Sequence, residues 1–121
     1  MIKTLQVDFQ HQDARGQLIQ LIHQGYEQIN VLESKAGVFR GGHYHKISTE
    51  AFYVVTGSVE VHATRDKEEE KKTFHAGDFF AIEPYVVHSF KFPEDCIMVQ
   101  MYSICVQGSD GTMDIYSEGD K

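Results

Sequence analysis

Gly37-Val-Phe-Arg40-Gly-Gly-His43-Tyr-His45-Lys-Ile-Ser-Thr-Glu50-Ala-Phe-Tyr53-Val-Val-Thr-Gly57 is the segment from which the fold and the chemistry of this chain are read. Side chains on a β-strand alternate between two faces, so His43 and His45 project to one side and Tyr44 to the other. A turn over residues 46–49 returns the chain and sets Glu50 beside the histidine pair. Glu50 opens the apolar run Ala51-Phe-Tyr-Val-Val and shares its strand face with Phe52 and Val54. Gly57-Ser58 then reads as a tight hairpin turn into a strand over 59–63. Lys46 points away from the histidines by the same alternation and belongs to the rim or the surface.

A fourth donor comes from farther along. His88 follows Pro84-Tyr-Val-Val and shares parity with Phe90 and Phe92, so it faces an apolar interior. Three imidazoles and one carboxylate can occupy one side of a divalent ion, and His43, His45, Glu50 and His88 are therefore read as the ligands of a mononuclear metal centre. Neutral imidazole suits Zn, Fe, Ni, Cu and Mn, and a carboxylate oxygen widens the choice toward Fe and Mn. His11, His23, His62 and His75 fall near strand edges or turns and read as surface residues.

Outward from this segment, short β-like runs recur at 17–23, 28–33, 51–55, 59–63, 78–82, 87–92 and 97–106, with glycines between them. Many short strands with such punctuation predict an all-β sandwich or jelly-roll barrel. No long stretch carries a 3.6-residue apolar period, so helices are minor. A length of 121 residues predicts one domain over 1–121. The mixed-charge run at 65–72 is read as a solvated hairpin tip. From Ser109 onward the chain is polar, and Met113, Ile115 and Tyr116 are anchors for a short strand or a frayed end.

Composition excludes more than it identifies. Acidic residues outnumber basic ones 18 to 11, a net charge of −7, which disfavours non-specific nucleic-acid binding through phosphate neutralisation. Cys96 and Cys105 fall in one strand-like segment, where they do not approach disulfide distance, and form no Cys-x-x-Cys pair. A reduced, cytoplasmic protein is expected. No apolar stretch of about 18 residues spans a membrane, and Met1-Ile-Lys-Thr-Leu-Gln-Val-Asp lacks the apolar core of a secretory signal.

The motif Gly37-x5-His43-x-His45-x4-Glu50-x6-Gly57 resembles the first motif of the cupin superfamily at every defining position. Gly77-Asp-Phe-Phe-Ala-Ile-Glu-Pro84-Tyr-Val-Val-His88 is similar to the second, with three departures. Pro84 stands one residue farther from Gly77, no glycine follows it, and Phe92 occupies a frequent asparagine position. These departures imply an altered loop before His88. The resemblance implies a double-stranded β-helix, the cupin jelly roll, and a homodimer paired through edge strands.

A narrower resemblance covers most of the chain. Asp13-Ala-Arg15-Gly16-Gln-Leu and the run from Asn30 to Lys46 look like cupins acting on nucleotide-linked keto-deoxysugars, the 3,4-ketoisomerases and 3,5-epimerases. In the metal-free ketoisomerases the histidines matching His43 and His45 act in proton transfer, and those enzymes generally lack a carboxylate at the position of Glu50. Glu50 therefore favours a metal-binding subgroup, similar to the cupin domains of capsule-sugar epimerases or reductases.

On that resemblance the expected reaction removes a proton beside the carbonyl of a nucleotide-linked keto-deoxysugar, with His43, His45 and Glu50 as catalytic residues. A divalent ion, Zn, Mn, Fe or Ni, would stabilise charge developing on the carbonyl oxygen. If all four ligands hold the ion, the general base is another group: Tyr53, Tyr102 or a metal-held hydroxide. Without an ion, His45 or His43 becomes the base, oriented by Glu50. Arg40 and Arg15 offer bidentate donors for a pyrophosphate, and Tyr53 and Tyr102 complete the candidate substrate contacts. Two other classes stay open: a non-haem dioxygenase of a small organic substrate, since three His and one Glu leave about two positions on an octahedral ion, and a non-catalytic small-molecule-binding cupin.

Overall fold

The computed structural model describes residues 1–117. The described residues form β1 (Ile2–Thr4), β2 (Phe9–Asp13), β3 (Gly16–Gln20), β4 (Gln28–Ser34), β5 (Phe39–Tyr44), β6 (Glu50–Thr56), β7 (Ser58–Arg65), β8 (Glu68–His75), β9 (Phe79–Ile82), β10 (Val87–Lys91), β11 (Cys96–Tyr102) and β12 (Tyr116–Ser117). Two five-stranded sheets have the orders β1-β9-β6-β11-β4 and β12-β5-β10-β7-β8, while β2 and β3 make a separate hairpin. From β4 onward each strand lies in the opposite sheet from the one before it, except β7 to β8. That winding is the double-stranded β-helix of a cupin jelly roll, as the strand pattern and the motifs led one to expect. No described helix is long and apolar enough to cross a membrane.

The winding corrects the reading of Gly57-Ser58 as a hairpin turn. Since β6 pairs with β9 and β11, and β7 with β8 and β10, Gly57 is a step between sheets. With φ at 85° it passes so close to the Asp95–Cys96 backbone that a Cβ would stand 2.2 Å from the Asp95 carbonyl oxygen. Glycine alone fits.

Residues 65–72 also differ from expectation. The turn is confined to Asp66-Lys67, with Asp66 at φ 56°, and from Glu68 the chain is strand, paired along its length with β7. β8 is the edge of its sheet, and charged side chains on an edge oppose the addition of another strand. The runs expected at 17–23 and 97–106 end earlier, at Gln20 and Tyr102. β2, exposed at every position, has no buried face for alternation to mark. Cys96 is buried, Cys105 exposed, and both are free thiols.

Between the sheets the interior is aromatic at one end. Phe80 stacks on Phe74 at 4.0 Å and on Phe52 at 5.3 Å, and Phe90 meets Phe52 edge-on. Val54, Val61, Ile82 and Met98 fill the space around them. On the outer face of the first sheet Ala51, Tyr53, Phe79, Ala81 and Met101 form a second cluster, covered by Leu5, Val7, Leu21 and Tyr26 of the N-terminal segment. The polar site lies inside, at the other end of the same strands.

Candidate metal centre

Backbone irregularity on β5 aligns the histidines. His88 on β10 pairs with His43, but Ser89 pairs with Gly41, so Gly42 is the extra residue of a bulge. Gly41 and Gly42 have φ of 108° and 79°, and a Cβ on Gly41 would stand 2.6 Å from the His88 carbonyl oxygen. The close approach sets the two rings beside one another, with centroids 4.8 Å apart. On the other sheet Glu50 pairs with Tyr102 and Phe52 with Gln100, so Glu50, Gln100 and Tyr102 share the inner face.

The four donors converge. A ligand atom from each of His43, His45, Glu50 and His88 lies within 4.8 Å of every other. His45 Nε2 and His88 Nε2 each stand 3.0 Å from the same oxygen, Glu50 Oε1. The second oxygen, Oε2, accepts a hydrogen bond from Gln100 Nε2 at 2.6 Å, and Asn30 Nδ2 in turn donates to Gln100 Oε1 at 3.0 Å. His45, Glu50 and His88 are buried at 3%, 1% and 1% exposure, while His43 is partly exposed.

The outer nitrogens of the two deep rings are engaged. His45 Nδ1–H donates to the Asp114 carbonyl at 2.5 Å, and His88 Nδ1–H to the Val86 carbonyl at 3.0 Å. In the neutral ring of His88 the Nε2 lone pair then faces Glu50, whereas His45 Nε2 stands in hydrogen-bond geometry to Oε1 and donates to it when the ring is protonated. His88 Nε2 is close to the carboxylate but lacks hydrogen-bond geometry, and this buried nitrogen has no hydrogen-bond partner. The His88 lone pair and the Glu50 carboxylate crowd one point, and a proton on His45, or a cation shared among the donors, relieves the repulsion. Backbone carbonyls holding the far side of ligand imidazoles are the usual support of metal histidines. The donor set fits a divalent ion.

Protonation reflects the same crowding. Burial alone would raise the Glu50 carboxyl, but the hydrogen bond from His45 and the nearness of His88 hold it well below the usual range. Burial pulls His45 down, and the hydrogen bond and charge of Glu50 outweigh it, so its net shift is upward. His43 is lowered to about 4 by burial and by His88. The Tyr102 hydroxyl is pushed up, first by burial and then by the Glu50 charge, so at neutral pH it is a proton donor.

A cavity of about 370 Å³ opens onto this cluster, lined by Arg40, His43, Glu50, Gln100 and Tyr102 among polar residues and by Phe39 and Ile115 on its apolar side. Arg40 Nε donates to Ser34 Oγ and its Nη2 to the Glu33 carbonyl, both at 2.9 Å, which fixes the guanidinium at the mouth. Two other sequence candidates lie elsewhere. Tyr53, one residue out of phase with Glu50 and Phe52, belongs to the outer cluster, a correction that strand alternation explains. Arg15 sits 88% exposed at the tip of the β2–β3 hairpin, paired with Asp13 at 2.7 Å, and does not line the cavity. Lys46 lies outside as expected, its Nζ 4.2 Å above the Tyr116 ring.

The model of the polysaccharide biosynthesis C-terminal domain family matches residues 11–102. The chain belongs to that family. The polysaccharide biosynthesis C-terminal domain match spans β2 to β11 and includes all four candidate ligands. No curated protein matches the sequence. Among solved structures, the WlaRB TDP-quinovose 3,4-ketoisomerase from Campylobacter jejuni is similar with a TM-score of 0.83 at 17% identity, over 98% of this chain and 94% of that one. A 3,4-ketoisomerase from Helicobacter canadensis follows at 0.82 and 19%, over 98% and 92%. A variant of QdtA, the 3,4-ketoisomerase from Thermoanaerobacterium thermosaccharolyticum, in complex with TDP-4-keto-6-deoxyglucose gives 0.76 and 16%, over 99% and 88%. At such identities the likeness is one of fold.

Gln100 and Asp114 were not anticipated. Gln100 shares parity with Tyr102 and Met98, a signal that register with Glu50 would have revealed. Asp114, in a polar stretch without periodicity, gave none.

Proposed function

We propose that this chain is a nucleotide-sugar isomerase or epimerase that moves a proton at the carbon beside a sugar carbonyl, with a divalent ion held by His43, His45, Glu50 and His88. The observation that carries the reading is the meeting of His45 Nε2 and His88 Nε2 at one Glu50 oxygen on the wall of an open cavity. The ketoisomerase fold, including a relative in complex with a TDP-linked keto sugar, supports the substrate class. A bound divalent ion polarises a substrate carbonyl and stabilises negative charge on its oxygen.

The chain's own residues supply the rest. Gln100 holds Glu50 Oε2, which keeps the other carboxylate oxygen turned to the histidines. Tyr102, protonated at neutral pH, donates a hydrogen bond to a substrate oxygen. Of the three histidines in the cluster only His43 lines the cavity, and it is neutral above a pKa of about 4, so it serves as the fourth ligand or as the base. His45, engaged at both ring nitrogens and buried, is out of reach of a substrate proton. Arg40 keeps its remaining guanidinium donors for a phosphate.

Incubation with dTDP- and UDP-linked 4-keto sugars in D2O is expected to place deuterium on the carbon beside the carbonyl. No incorporation by metal-replete protein overturns the reading. His43→Gln separates its two roles: as a base its loss slows exchange by about 10²–10⁴ with ion affinity retained, whereas as a ligand its loss lowers affinity. Leu32, Phe39, Phe90 and Ile115 give the cavity an apolar flank, which supports a second reading, a non-haem dioxygenase of a small organic substrate; oxygen uptake by Fe(II)-loaded protein tests it.

The same proposal takes residues 1–121 as one cytoplasmic cupin domain that pairs as a homodimer. β4 ends its sheet and exposes Ile29 at 60% and Val31 at 71%, an apolar edge that a second copy would cover. Light scattering on wild type and Val31→Lys reads the mass.

A further inference from the structure

The segment after β11 lies beyond the residues matched to the family, yet it touches the centre repeatedly. Residues 107–113 close a small loop through Gly108 N–H to the Thr112 carbonyl at 2.8 Å and a bridge between Gln107 and Met113. Asp114 follows, 7% exposed, with its own N–H donated to the Val106 carbonyl at 2.8 Å. Its carboxylate accepts three successive backbone N–H groups of the turn between β5 and β6: Lys46 at 2.8 Å, Ile47 at 3.1 Å and Ser48 at 3.0 Å. Its carbonyl oxygen accepts His45 Nδ1–H. Next along the chain Ile115 lines the cavity, and Tyr116 and Ser117 pair with Tyr44 and His43.

One residue thus grips the His45–Glu50 turn by its side chain and the His45 ring by its main chain. We infer that Asp114 is a positioning residue of the metal centre, fixing which nitrogen of His45 carries the proton and which is offered to the ion. This rests on the metal reading proposed above. Without the carboxylate, three adjacent N–H groups lose their acceptor, and the residue 114 carbonyl loses its direct tie to the turn that carries the ring. A neutral His45 is then free to keep its one proton on Nε2, donated to Glu50, instead of on Nδ1, and this occupies the lone pair an ion requires.

His88 provides an internal control, because its Nδ1–H is held by Val86, outside the segment. In the metal-free protein, 15N-edited NMR of the imidazoles is expected to show slowly exchanging Nδ1–H signals from both His45 and His88. Asp114→Ala is expected to lose the His45 signal and keep that of His88. Zn²⁺ affinity, measured by chelator competition, should fall about 10–100-fold. Asp114→Asn, with one acceptor oxygen left, should recover part of both, and it carries the test alone if the alanine variant does not fold. Persistence of the His45 signal in Asp114→Ala, an undiminished signal in Asp114→Asn, or loss of both histidine signals together overturns the inference. Failure of wild type to bind Zn²⁺ overturns the metal reading instead, and leaves the His45 signal to judge Asp114.

Discussion

The two ends of the barrel interior are built on the same strands and held by different forces. At one end Phe52, Phe74, Phe80 and Phe90 stack within a dry core, where shape and burial suffice. At the other, Glu50 from β6, His88 from β10 and Gln100 and Tyr102 from β11 occupy equally inward positions, but each is polar. Burial there is tolerated only through hydrogen bonds aimed at named atoms, and one buried nitrogen, His88 Nε2, still has no such partner. The aromatic end is satisfied by its own atoms. The polar end is arranged around a charge that must come from outside, a proton or a metal ion.

Substitutions can break that contrast. The largest effect is expected from Phe80→Ala, which removes a fully buried ring from between two others and should lower stability by about 3–5 kcal/mol in urea unfolding. Divalent-ion affinity well below the unfolding transition should be unchanged, and a parallel loss would show that the ends are not separable. Next come two glycines. Gly57→Ala and Gly41→Ala each drive a Cβ into a backbone carbonyl and are each expected to cost about 2–3 kcal/mol. Gly57 meets Asp95, remote from the candidate ligands, while Gly41 meets His88. Only Gly41→Ala should also weaken ion binding, measured on both variants at one temperature.

The difference between the ends also decides what a sequence can disclose. Glu50, Phe52 and Val54 obey one alternation, and His88 and Phe90 another, so strand parity placed both the core and the inward-facing candidate ligands. The departure noted after Pro84 is legible too: Tyr85 stands there in the left-handed region at φ 66°, in a position suited to the absent glycine. Pairing across sheets is not local, and so Gly57 read as a hairpin turn although it steps between them. Tyr53 was grouped with the site by residue type against its own parity. Asp114 stayed hidden because its three acceptances come from N–H groups more than 60 residues away in sequence.

The smallest effect expected is a pH dependence confined to the polar end. The unfolded chain takes up a proton at residue 43 near pH 6.5, whereas the folded protein refuses it down to about 4. Between those values the unfolded state binds more protons, so stability is lost as pH falls through the window. Below the ordinary carboxyl value near 4.5 Glu50 adds to the loss, since its stabilisation is present above that value and disappears as acid approaches its depressed folded one. His45 runs the opposite way: its raised value gives stabilisation that is full below about pH 6.5 and lost as pH rises through the folded value. Metal-free protein is therefore expected to be most stable near pH 6.5, falling by about 2 kcal/mol toward pH 4 once the partial exposure of His43 is discounted. His43→Gln should flatten the acid side, and Phe80→Ala should lower the whole curve without moving its maximum. A wild-type curve level from pH 4 to 8 would mean that the polar end carries no such charge dependence, and the contrast between the two ends would be one of shape alone.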